Sequence, residues 1–207
     1  QAFLGVDDLR AKTTRAIHQF EMATAVAPTD VGELKSIAVS NLPGESRGVI
    51  YSGRPLLTLS LAFGPRQQII RPAKLEDSAF KEWLHQTVLF GPARLLDASS
   101  GTNVRIQNDT LVIEQEGSAS VALHETADQT LVVPIGEVRS RRFSMGESSV
   151  LIEEDLLMAL KNGIEAASSI LEEVDPTQRL THLAMAVSIT GAESRAWRTR
   201  DEHAASP

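Results

Sequence analysis

His182-Leu183-Ala184-Met185-Ala186-Val187-Ser188-Ile189-Thr190 is the stretch on which the architecture turns. Leu183, Met185, Val187 and Ile189 alternate strictly with Ala184, Ala186 and Ser188. On a strand these sets project to opposite faces, the large side chains to one and the small to the other. On a helix the four large residues would spread around the axis, although Ala and Leu are good helix formers and keep that alternative open. Asp175-Pro176 before the segment and Gly191 after it leave a length suited to a strand. The alternation predicts a central strand, buried on both faces, with its large set beneath a helix and its small set close to a second layer.

The helix that would cover it comes just before it. Over residues 153–174, Leu156, Leu157, Leu160, Ile164, Ala167, Leu171 and Val174 recur at helical spacing. Glu153, Glu154 and Asp155 fall in the first turn, where acids favour the helix dipole. Consecutive helical residues diverge, so these three are poorly arranged to hold a cation. Gly163 in the interior costs about 1 kcal/mol relative to Ala.

Further upstream, residues 102–152 read as a β-meander. Val104–Ile106, Leu111–Ile113, Ala119–Leu123 and Thr130–Ile135 are short β-rich runs, with Arg141–Met145 as one more. Asn108-Asp109, Glu116-Gly117 and Ala127-Asp128 separate the runs as turns. Leu57, Leu59, Leu61 and Phe63 alternate with Thr58, Ser60 and Ala62, which predicts an earlier strand. Val49–Tyr51 is a shorter one. Helices are expected over residues 6–27, over 30–39 with Asp30 as cap, and over 77–90 with Asp77 or Ser78 as cap. Phe80, Trp83, Leu84, Thr87 and Val88 share a face of the last, with Trp83 as a core anchor. From Ala192 onward the chain is polar and expected to be mobile. The fold class is therefore α+β, a mostly antiparallel sheet with helices packed on one face. The 207 residues form either one continuous domain or two parts, 1–136 and 137–207.

With 42% apolar and 23% charged residues, the chain has enough core-forming side chains to exclude general disorder. A net charge of −7 disfavours broad binding to phosphate backbones. The absence of cysteine excludes disulfides, a thiolate nucleophile and cysteine-ligated zinc, and fits the reducing cytoplasm. No apolar run approaches the ~20 residues that span a bilayer, and Gln1-Ala2-Phe3-Leu4 does not open a signal peptide. The chain starts without Met and stops in Ala204-Ala205-Ser206-Pro207, which reads as a piece cut from a longer protein.

Few patterns carry chemistry. Gly44-Glu45-Ser46-Arg47-Gly48 matches G-x-S-x-G, the nucleophile elbow of α/β-hydrolases, which needs a strand before the Ser and a helix after it. Here Pro43 precedes the pattern and a strand follows, so Ser46 is a weak catalytic candidate, with His124, Asp128 and His182 as conceivable partners. Arg198 to His203 matches R-x4-H and resembles the active-site motif of HEPN ribonucleases, which belongs on a helix. Arg195, Trp197, Arg198 and Arg200 form a basic–aromatic cluster, the expected binding residues, since Arg and Trp are enriched at protein hot spots and also serve nucleic acids. Arg139, Arg141 and Arg142 read as solvated charge. His124-Glu125 lacks the second His of H-E-x-x-H, and no phosphate-binding Gly-rich loop occurs. No metal or cofactor is expected.

The element order carries one resemblance. A charged helix, the run Pro55-Leu56-Leu57-Thr58-Leu59-Ser60-Leu61, a helix with Phe80-Lys81-Glu82-Trp83-Leu84, and a β-meander follow one another over residues 6–135. This order resembles the accessory C-terminal region of bacterial multidomain proteins that carry a Schlafen-type AlbA_2 domain. The AlbA_2 domain itself is not part of this sequence. The resemblance implies a regulatory or defence setting and supplies no site residue. The leading expectation is a non-catalytic binding or sensing module of a larger bacterial protein, contacting a protein partner or another part of its own chain. The alternatives are a serine hydrolase using Ser46 and a nucleic-acid accessory domain using Arg195–Arg200.

Overall fold

The computed structural model describes residues 30–43, 55–115, 119–135, 150–192 and 195–205. In chain order these contain α1 (Val31–Ser40), β1 (Leu56–Gly64), α2 (Pro72–Glu76), α3 (Ser78–Phe90), β2 (Asn103–Gln107), β3 (Thr110–Gln115), β4 (Ala119–His124), β5 (Gln129–Pro134), β6 (Val150–Ile152), α4 (Glu153–Val174), β7 (His182–Thr190), β8 (Ala196–Arg198) and α5 (Arg200–Ala205). Six strands form one antiparallel sheet in the order β2-β3-β4-β5-β1-β7. The expected helix over 6–27, the strands at 49–51 and 141–145 and the turn at Glu116-Gly117 lie outside the described residues.

The meander follows from its turns. Gln107 pairs with Thr110 across a two-residue loop, and Asn108 and Asp109 both take positive φ, 49° and 58°. Asn and Asp tolerate this left-handed region, and such a turn matches the twist of the strands it joins. Along β3, β4 and β5 every second residue is buried, as one-sided packing requires.

β1 differs from them. Leu57, Leu59, Leu61 and Phe63 enter the main core on one face, while Thr58, Ser60 and Ala62 are buried on the other. α3 and α4 cover the first face. α3 is capped by the Asp77 carboxylate, which accepts from Ala79 N–H at 3.1 Å, and it buries Phe80, Leu84, Val88 and Leu89. On the second face, α1 sets Leu34 and Ala38 against Ala62 and Ala184. Its cap is Asp30, as expected, which accepts from the N–H groups of Gly32 and Glu33 at 2.8 and 3.3 Å. The α+β class with a mostly antiparallel sheet is as predicted, and α1 adds a helix on the second face. Residues from both sides of position 137 share this sheet and this core.

Three readings need correction. Residues 182–190 are a strand, but an edge strand rather than a central one: among the described residues β7 pairs only with β1, from Leu56↔Thr190 to Gly64↔His182. Its small set faces the closely approaching α1, as expected. Its large set shares the face of α4 but extends past the helix, so Leu183, Met185 and Val187 stay 55%, 49% and 43% exposed. Second, α4 has the expected bounds but a rotated face. Gly163, Ala166, Ala167, Ile170 and Val174 are buried, whereas Leu157 and Ile164 point outward. Small residues win because they let the helix backbone approach the sheet: a Cβ at 163 would come within 3.1 Å of Leu59 Cδ2. Third, Trp83 is only partly buried. It stacks on Phe80 with centroids 5.5 Å apart, and Phe80 occupies the core position instead.

Two buried carboxylates fasten the loops that flank β1 and β7. Asp128 accepts from Phe63 N–H at 2.9 Å and from Arg66 Nη1 at 2.7 Å, tying the β4–β5 turn to the end of β1. Asp175, after α4, accepts from Leu180 N–H at 2.8 Å and from Arg179 Nε at 3.2 Å, which sets the entry to β7. Burial alone would push the Asp175 carboxyl up. The Leu180 and Arg179 N–H groups and the Arg179 charge outweigh it and hold the carboxyl below its usual value.

Leu at position 163 should cost about 1–3 kcal/mol, because its side chain must displace Leu59 and Leu131. The urea midpoint reads this, and an unchanged midpoint would show that α4 does not press on β1. For Asp175, a folded-state pKa below the unfolded one means that its contribution is fully present above the unfolded pKa and lost as pH falls through the folded value. Asp175→Asn should therefore lower stability at pH 7 by about 1–3 kcal/mol, with the gap to the parent closing in acid. A gap independent of pH would contradict the assignment.

Candidate functional site

β7 ends the sheet with nine residues that include no Asp, Glu, Lys, Arg, Pro or Gly. Soluble proteins usually blunt an exposed edge by making it short, charged or bulged. The opposite edge does so: β2 has five residues, all exposed, and its Arg105 is ion-paired with Glu114 of β3. Among the described residues β7 has no such protection. On the α4 face, Leu183, Met185 and Val187 continue the rows of Phe63, Leu61 and Leu59, their partners in β1. On the α1 face Ala184, Ala186 and Ser188 project, with His182 and Thr190 at the two ends. The outer N–H and C=O groups of β7 are placed to extend the ladder to another strand, and its alternate side chains would supply the apolar contact. His182, at one end, is the strand's only titratable side chain, and its Nδ1 lies 2.9 Å from Thr181 Oγ1.

The basic–aromatic cluster has a different surrounding. The segment from Ala192 onward, expected to be mobile, contains β8, which runs parallel to β6 with Leu151 opposite Trp197, and then α5. Its partners are the three acids at the start of α4. Trp197 Nε1 reaches Glu153 Oε2 at 3.4 Å, the Arg200 N–H donates to Glu154 Oε2 at 2.9 Å, and the Arg200 guanidinium pairs with Asp155. Arg195 Nε donates to the Gly191 carbonyl at 2.7 Å. α5 starts in a capping box: Thr199 N–H donates to Glu202 Oε2 at 2.8 Å, and Glu202 N–H donates to Thr199 Oγ1 at 3.2 Å. These Thr199 contacts hold the Glu202 carboxyl below its usual value. Trp197 remains 54% exposed, but the cluster is set against acids and does not form an isolated basic patch.

Both elements of this docking are written in the sequence. Thr199-Arg200-Asp201-Glu202 has the T-x-x-E spacing of a capping box, and the acidic run 153–155 matches the basic run 195–200 in sign. Reading each run separately hides their pairing.

The remaining candidates are dispersed. Ser46 and Arg139, Arg141 and Arg142 lie outside the described residues. His124 and Asp128 share the β4–β5 turn, where His124 Nδ1 lies 2.8 Å from Thr126 Oγ1 and Asp128 holds Phe63 and Arg66. Arg198 lies on β8 and His203 on α5, so the R-x4-H pattern spans two elements rather than one helix. Thr58 Oγ1, Ser60 Oγ and Ser188 Oγ are buried hydroxyls without hydrogen-bond partners among the described residues, none of which is a base poised to activate them. Among the described residues no three His, Asp or Glu side chains converge on a metal position, and no helix is long and apolar enough to cross a membrane. No known protein family, curated protein or solved structure matches this chain.

Replacing Glu153, Glu154 and Asp155 together with Ala should release the tail. Exposed contacts of a few tenths to 1 kcal/mol each imply roughly tenfold faster tryptic cleavage after Arg195, Arg198 and Arg200. Equal cleavage in parent and variant would mean that these acids do not hold the segment.

Proposed function

We propose that this chain is a non-catalytic interaction module, contacting a protein partner or another part of the protein to which it belongs, and that β7 is its contact edge. One observation carries the reading: an uncharged nine-residue edge strand with three large apolar side chains about half exposed. Selection against aggregation normally removes such an edge unless something pairs with it. The accessory-region resemblance fits a module of this kind, and the cysteine-free composition suits a cytoplasmic setting. A nucleic-acid role has less support, because the Arg200 and Trp197 side chains engage acids of the same chain. A hydrolase using Ser46 draws no support from the described residues.

A photo-reactive benzoylphenylalanine at position 185 in the full-length gene product, expressed in its native host, should crosslink to one defined polypeptide segment. The same probe at Ile106 on β2 should not. Equal yields from the two positions would overturn the reading.

A further inference from the structure

We infer that the strand added to β7 is β7 of a second copy of this chain, antiparallel about a two-fold axis through Ala186. The inference rests on the reading of β7 as the contact edge and names its occupant.

The pattern of the strand is self-complementary about that axis. Met185 falls opposite Val187 of the second copy, Leu183 opposite its Ile189, Ala184 opposite its Ser188, and Ala186 opposite Ala186. Facing residues of an antiparallel pair share a face, so large meets large and small meets small. A shift by one residue would set the large row against the small one, and the axis through Ala186, the middle residue, is the even register that pairs all nine residues.

Charge points the same way. The chain carries a net charge of −7, which opposes contact between broad faces of two copies. β7 carries no Asp, Glu, Lys or Arg, so edge pairing brings no like charges together. A partner strand with charged residues would find nothing on β7 to neutralise them.

Symmetry separates this pairing from the competing self-contact. β7 against β2 of another copy would be head-to-tail, building a ring or a filament and never a closed pair. β2 is shorter, five residues against nine, and bears the charged Arg105 between Val104 and Ile106. The two-fold contact instead removes both unprotected edges in one closed step, joining two six-stranded sheets into one. The two copies of α1 then lie on one face and the two of α4 on the other.

The test is sedimentation equilibrium of the whole chain at micromolar concentration, with circular dichroism to confirm folding. The parent should have twice the chain mass. Met185→Lys alone and Val187→Glu alone should each have the single mass, because each sets a charge against an apolar side chain of the second copy. An equimolar mixture of the two should regain the double mass, since Lys at 185 then faces Glu at 187. The doubly substituted chain should regain it for the same reason. A double mass that both single variants keep, or a mixture that stays at the single mass, overturns the pairing. A parent of single mass overturns it as well, and the position-185 crosslink then separates the cases. A crosslink to a different protein or within the same chain leaves β7 as the contact edge with another occupant. A crosslink yield equal to that from position 106 removes the contact edge too.

Discussion

Leu59 on β1 lies directly beneath Gly163 of α4, and the rest of the molecule is arranged around that approach. A helix brought so close buries Ala166, Ala167 and Ile170 against the sheet and turns Leu157 and Ile164 outward. β1 can accept the helix because its other face is equally filled, with Ala62 under Leu34 and Ala38 of α1. A strand buried on both faces needs a neighbour on each side to satisfy its backbone, and β5 and β7 supply them. The helices on both faces, the strand order and the position of the edge follow from this one strand.

The ion-paired tail and the apolar edge occupy different parts of this framework. Acids at the start of α4 gather the basic tail, and their opposite signs cancel locally. The half-exposed row of Leu183, Met185 and Val187 lies elsewhere, on a strand with almost no ionisable groups. A partner drawn to one of these regions would therefore respond to different forces than a partner drawn to the other. Salt would weaken contacts at the tail, whereas contacts at β7 would follow apolar area and hydrogen-bond register.

The elements were largely legible in the sequence because local rules determine them. Asp30 and Asp77 announce their helices, Asn108-Asp109 its hairpin, and alternation reveals β1 and β7. The layout was less legible, because it depends on which residue of one element meets which of another. Leu157 and Ile164 look like core by their chemistry, yet the close fit of Gly163 to Leu59 outweighs that and rotates them outward. Alternation identifies β7 as a strand with one large and one small face, but does not say whether a further strand lies beyond it. Trp83 lost the core position to Phe80, its neighbour on the same helix, since a spacing of three leaves both on nearly the same face. The surroundings of the candidate residues are hidden in the sequence for a similar reason. The Arg195–Arg200 run carries no local sign of the acids that meet it, and the exposure of Leu183, Met185 and Val187 follows only from the end of the sheet.

The order of the strands also bears on how the chain can be made. β1 is synthesised before both strands that flank it, and β7 is the last strand of the sheet to emerge. The β2–β5 meander closes through near neighbours as it leaves the ribosome, which is fast. β1 can then dock on β5, yet eight of its nine residues are buried in the finished protein and its far side waits for residues 182–190. During that interval an apolar strand has an open flank, the condition under which nascent chains are captured by chaperones or by one another. Any chain that stops short of residue 182 keeps that open flank permanently.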